Sequence, residues 1–85
     1  MNSQEVDNRL RWKCRRGMLE LDIMLHSFLD NGYANLDMAN IKLFEQLLGY
    51  EDNPLFELLM GNMQAANPEM KYVIKSIQQA TRSNN

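Results

Sequence analysis

The chain has 85 residues, of which 45% are hydrophobic, 24% charged and 8% aromatic, with a formal net charge of −2. That length allows one domain and no separate cofactor and substrate domains. A single cysteine excludes an internal disulfide and suits a reducing compartment, one histidine and one cysteine cannot build a zinc site unaided, and four scattered glycines make no phosphate-cradling loop. Small-molecule catalysis is thereby almost excluded.

The net charge conceals an asymmetry. Residues 1–16 carry a net +3, residues 17–60 a net −7 and residues 61–85 a net +2. A basic head on an acidic body fits an electrostatically steered partner surface, or else two halves that neutralise one another across the fold. No apolar run approaches the ~20 residues of a membrane span, so direct membrane insertion is not expected. The stretch Met1–Asp7 is polar and lacks the apolar core of a signal peptide, so a cytoplasmic location is expected.

Apolar residues recur at helical spacing almost throughout. Residues 1–4 read as a flexible N-terminus. A first helix is expected from about Glu5 to Arg16, with Val6, Leu10 and Cys14 on one stripe, Ser3 as its cap and Gly17 as the break. A second runs from about Met18 to Asp30. Its stripe is Met18, Leu21, Leu25 and Phe28, widened by Met24 and Leu29, with Glu20, Asp22, Ser27 and Asp30 elsewhere. Asn31-Gly32 ends it, and Tyr33 to Leu36 is a loop. Asp37 caps a third helix through about Leu48, burying Ile41, Phe44, Leu47 and Leu48, and Gly49 stops it. Asn53-Pro54 and Asn67-Pro68 each read as a cap followed by proline at the first helical position. They open a fourth helix to Met60, closed by Gly61, and a fifth to about Ala80 with Met70, Val73, Ile74 and Ile77 buried. Residues 81–85 read as a mobile polar tail. The expected architecture is all-α, a single five-helix bundle over residues 5–80. Met18, Met24, Met60, Met63 and Met70 are expected as core filling.

The chemistry concentrates in residues 9–22. On a wheel of about 100° per residue, Arg9, Trp12, Lys13 and Arg16 share one side, away from Val6, Leu10 and Cys14. The only tryptophan thus leaves the apolar stripe beside guanidinium groups, which is common hot-spot chemistry at protein interfaces. Trp12 folded back onto a neighbouring helix is the alternative. Arg16 and Glu20 are four apart, so they either pair along one helix or, with Gly17 turning the chain between them, face one way beside a bare backbone. A nucleic-acid reading is disfavoured by a pI near 5.2 and by the acidic second helix. Cys14, on the apolar stripe, is expected to be a buried, inert thiol, and His26 a structural or surface residue. Glu20/Asp22 read as a charged face and Glu51/Asp52 as a helix-start bias.

The stretch Trp12-Lys13-Cys14-Arg15-Arg16-Gly17-Met18-Leu19-Glu20-Leu21-Asp22 resembles the small succinate dehydrogenase assembly factors, the flavinylation factors whose hallmark is Arg-Gly-x-x-Glu. Tyr33, the Phe44…Leu47-Leu48 helix and Asp52-Asn53-Pro54-Leu55-Phe56 also fall where that family has comparable features. One departure is Glu57-Leu58-Leu59, near which the family often has a tryptophan, and it leaves the surface near Phe56 and Leu58 unassigned. The resemblance implies an all-α factor, not an enzyme, that binds the flavoprotein subunit of succinate dehydrogenase, with fumarate reductase as a second client. It would promote covalent FAD attachment to a client histidine, the FAD being handled on the client and not held stably by this chain. Arg16, Gly17 and Glu20 would be the partner-binding core, with Trp12, Arg15, Asp22 and Arg9 around it. Arg16→Ala is then expected to weaken client binding at little cost to the fold, and Gly17→Arg to crowd the approach. A monomer is expected. The family also implies an alternative, the antitoxin half of a toxin–antitoxin pair acting by protein–protein interaction.

Overall fold

Why the fifth helix organises the molecule follows from its spacing. In this computed structural model, which describes residues 8–65 and 67–83, α5 (Pro68–Ser83) buries Met70, Val73, Ile74, Ile77 and Ala80. Those positions form one continuous stripe, while Lys71, Tyr72, Lys75 and Gln79 on the other face are exposed. The stripe packs against α2 (Leu19–Asn31), α3 (Met38–Leu48) and α4 (Asp52–Met60). With the short α1 (Asn8–Lys13), the described residues form five α-helices and a 3-10 turn at Tyr33–Asn35, with no strand. This is the expected all-α, five-helix architecture.

The core centre is aromatic. Phe28 of α2 lies 5.0 Å, ring centre to ring centre, from Phe44 of α3, and Tyr33 closes the trio at 6.4 Å from Phe28 and 5.8 Å from Phe44. Tilted and edge-on arrangements of this kind suit the ring quadrupoles. Tyr33 is therefore an anchor: the expected loop coils into a 3-10 turn that delivers its ring to the core.

Most helix boundaries follow local chemistry. Asp37 accepts the Asn40 backbone N–H at 2.9 Å and caps α3, and Asn67 accepts the Glu69 N–H at 2.9 Å and caps α5 with Pro68 in its first position. α5 runs three residues past Ala80, to Ser83. α4 departs from expectation: it starts at Asp52, not Pro54, and its cap is Glu51, without a side-chain bond. Proline is tolerated within this first turn because backbone N–H groups there have no intrahelical acceptor to lose. Gly61 ends α4 at φ +83°, with its N–H donated to Glu57 O and Leu58 O.

Three further expectations change. Ser27 is buried, since so short a side chain needs little cover to lose solvent. Met70 is in the core and Met18 and Met24 pack against it, but Met60 and Met63 are exposed on the surface near the end of α4. α1 ends at Lys13 instead of Arg16, for a reason that belongs to the site. Val6, the Ser3 cap and residues 1–4 lie outside the described residues.

Candidate protein-docking site

The chain leaves α1 in steps. Cys14 still donates to Leu10 O at 3.2 Å and Arg11 O at 3.1 Å, and Arg15 donates to Trp12 O at 3.1 Å, a tightened last turn. The next backbone N–H, that of Arg16, is captured at 2.6 Å by the Asp22 carboxylate instead of an α1 carbonyl. Gly17 then takes φ +83°, a left-handed conformation that side-chain-bearing residues rarely adopt. α2 begins at Leu19. The expected single wheel for Arg9, Trp12, Lys13 and Arg16 therefore fails at Arg16, which lies beyond the helix.

The Arg16 side chain turns inward. Its Nε donates to Asp52 Oδ1 at 2.8 Å, its Nη1 to Leu48 O at 2.7 Å and its Nη2 to Tyr50 O, with a longer contact from Nη1 to Lys13 O at 3.4 Å. Leu48 is the last residue of α3, so its carbonyl has no partner in that helix and lies at the negative end of the helix dipole. Asp52 opens α4, where a carboxylate is favoured. Arg16 and Glu20 do not pair with each other, and only 14% of the Arg16 side chain is exposed. The expectation that Arg16→Ala would cost the fold little is corrected: removing the guanidinium would leave a half-buried carboxylate and two carbonyls without their donor.

Around this bonded arginine the surface is open. Trp12 is 71% exposed and points off the apolar stripe, with the Arg15 guanidinium 5.6 Å from its ring centre. Arg9, Lys13 and Glu20 are exposed, and a Cβ built on Gly17 would meet nothing within 4 Å. Leu19, 73% exposed, adds apolar surface that the helical spacing did not single out. The structure thus leaves Trp12, Arg15 and Gly17 exposed around the α1–α2 turn, Glu20 exposed in the first turn of α2, where it also lines a groove with Ile23, Leu59 and Arg82, and Arg9 exposed on α1. It commits Arg16 and Asp22 to internal bonds. Asp52, 36 positions from Arg16, carries no signal for that pairing beyond its place at a helix start.

The remaining candidates stay structural. Burial pushes the Cys14 thiol from 9.0 up to about 11 despite the nearby Arg16 and Arg11 charges, as fits an inert thiol. His26 bonds through Nδ1 to the Asp22 carbonyl one turn back, at 2.8 Å. Arg11 reaches Asp30 at 2.9 Å and ties α1 to the end of α2. Among the described residues no His/Cys/Asp/Glu group could hold a metal ion, and no helix is long and apolar enough to cross a membrane.

The fold and this corner together define a small helical binding module whose outward chemistry suits the surface of another protein. The chain belongs to the family described as flavinator of succinate dehydrogenase, which it matches over residues 8–81. It is 40% identical over 79 residues to the FAD assembly factor SdhE of Coxiella burnetii (strain RSA 493 / Nine Mile phase I), covering 93% of this chain and 96% of that relative. It is 42% identical over 69 residues to the FAD assembly factor SdhE of Shewanella oneidensis (strain ATCC 700550 / JCM 31522 / CIP 106686 / LMG 19005 / NCIMB 14063 / MR-1), covering 81% and 84%. With the protein of the same name from Legionella pneumophila (strain Paris) it shares 47% over 55 residues, covering 65% and 70%. These descriptions accord with the flavinylation reading of the chain and not with the antitoxin alternative.

Proposed function

We propose that this chain binds the flavoprotein subunit of succinate dehydrogenase and promotes covalent attachment of FAD to it, as an assembly factor without catalytic groups of its own. The observation that carries the reading is the open corner: a tryptophan 71% exposed and a bare glycine backbone beside an arginine bonded entirely from within. Trp12, Arg15, Gly17 and Glu20, with Arg9, form the docking surface. Arg9, Lys13 and Arg15 join no ion pair among the described residues. The client face they suit carries carboxylates around an apolar socket for Trp12.

The contribution to chemistry is alignment. Docking holds the client in a conformation where its histidine and the flavin, the substrate of attachment, stand in reacting geometry, and such positioning lowers a barrier by several kcal/mol without new reactive groups. The flavin stays on the client throughout, and the chain acts as a monomer in the cytoplasm. Fumarate reductase, whose flavoprotein subunit would present the same kind of histidine and flavin, is the second client.

The test is covalent flavin fluorescence of the flavoprotein subunit on a denaturing gel. Cells lacking this chain are compared with cells complemented by wild type, Trp12→Ala or Glu20→Ala. The expected result is signal lost without the chain, restored by wild type and only weakly by the variants. Equal signal in every lane, at equal subunit abundance, would overturn the reading.

A further inference from the structure

The arginine of the Arg-Gly-x-x-Glu motif has only 14% of its side chain exposed, and that side chain joins two turns that are distant in sequence. We infer that Arg16 and Asp52 are positioning residues: together they lock the α1–α2 turn onto the α3–α4 turn and so set the shape that the docking surface presents. This rests on the docking role proposed above and assigns Arg16 a different part in it.

Arg16 meets the α3–α4 junction with three donors, Nε to Asp52, Nη1 to Leu48 O and Nη2 to Tyr50 O, while its own backbone N–H is held by Asp22. The guanidinium fork fits this set of acceptors in a way that a lysine ammonium, a point charge on a flexible stem, does not. Gly17 follows immediately, and glycine is the residue with the most backbone freedom. An unbraced Gly17 would let the turn sample many conformations, with Trp12 on one side of it and Glu20 on the other. Fixing Arg16 from both its backbone and its side chain removes that freedom before a partner arrives, and pre-organisation of this kind raises affinity without any new contact.

Asp52 is the informative position because it lies on a different turn from Trp12 and Gly17 and meets the corner through its bond to Arg16 Nε. The experiment uses the full chain with Asp52→Asn, Asp52→Glu, Arg16→Lys and, as a direct-contact control, Trp12→Ala. Three readouts are taken: amide hydrogen exchange of the free chain, its folded fraction by circular dichroism at the assay temperature, and calorimetric Kd for the purified flavoprotein subunit.

For Asp52→Asn and Arg16→Lys the inference expects exchange at the Arg16 amide to rise about tenfold or more while core amides of α2 and α5 stay protected. It also expects Kd to weaken by about tenfold in a fully folded chain. Asp52→Glu, which keeps the carboxylate, should recover most of both. Trp12→Ala should weaken Kd and leave exchange at Arg16 unchanged.

Wild-type affinity in Asp52→Asn, with Arg16→Lys impaired, would make Arg16 a direct contact and overturn the inference. Exchange accelerated throughout the chain would assign the pair to global stability and overturn it equally. If no variant affects the client because the wild type does not bind it, the docking role fails; exchange at Arg16 still decides whether the brace exists.

Discussion

Gly17 and Gly61 have the same backbone φ, +83°, and the same empty surroundings, since a Cβ on either would meet nothing within 4 Å. They differ in place: Gly61 caps the end of α4, and Gly17 stands beside Arg16 in the α1–α2 turn. Alanine at either site should cost about 1 kcal/mol from the left-handed backbone alone. Gly17→Ala should also weaken client binding, and Gly17→Arg should weaken it more by filling the approach, whereas Gly61→Ala should bind normally. Paired thermal melts and affinity measurements check this, and equal affinities for the two alanine variants would remove Gly17 from the docking surface.

Trp12 buries little in the free chain. Trp12→Ala should therefore change stability by no more than about 0.5 kcal/mol, as exposed positions generally do. The loss should appear only with the client present, as at least about 1 kcal/mol, or more than fivefold in Kd. Calorimetry on the two purified proteins measures it. A large fall in melting temperature would place the indole in the fold instead.

The aromatic trio should dominate stability. Phe44 is fully buried against Phe28 and Tyr33, so Phe44→Ala should cost about 3–5 kcal/mol. That is a large share of the ~5–15 kcal/mol available to a domain. Helical circular dichroism should be partly lost at 37 °C. Tyr33→Phe, which keeps the ring, should stay folded.

Cys14 should make stability fall at alkaline pH. Its folded pKa, about 11, lies above the ordinary 9.0, so between those values the unfolded chain has released a proton that the native chain retains. Unfolding gains from each such release, and stability declines as pH rises from 9 toward 11 by at most ~1.4 kcal/mol per pH unit. Denaturant melts of wild type and Cys14→Ala at pH 8 and 10.5 test the sign, with the variant expected to show the smaller decline. Iodoacetamide should label the native thiol slowly at pH 8 and rapidly once the chain is unfolded.

Helices were legible wherever local chemistry decides them. The Asp37 and Asn67 caps, the four inward residues of α3 and the stripe of α5 all follow from spacing and side-chain type. What sequence spacing could not reveal lies in long-range bonds. α1 stops early because the Arg16 backbone N–H goes to the Asp22 carboxylate and its side chain to Asp52, Leu48 and Tyr50, and helical periodicity carries no information about such partners. The inward turn of the Arg16 side chain is hidden from the sequence for the same reason. Trp12 was placed correctly because leaving the apolar stripe is a local property of α1. Leu19, which lies off the apolar stripe of α2, is exposed for the same local reason.

The corner is built from residues that leave the ribosome at different times. Trp12 and Gly17 emerge early, but the carbonyls and carboxylate that hold Arg16 arrive only with residues 48–52, and α5, which packs against α2, α3 and α4, comes later still. A nascent chain therefore displays the right side chains without the right shape. On the docking role proposed above, recognition is expected of the finished protein and not of half-made copies.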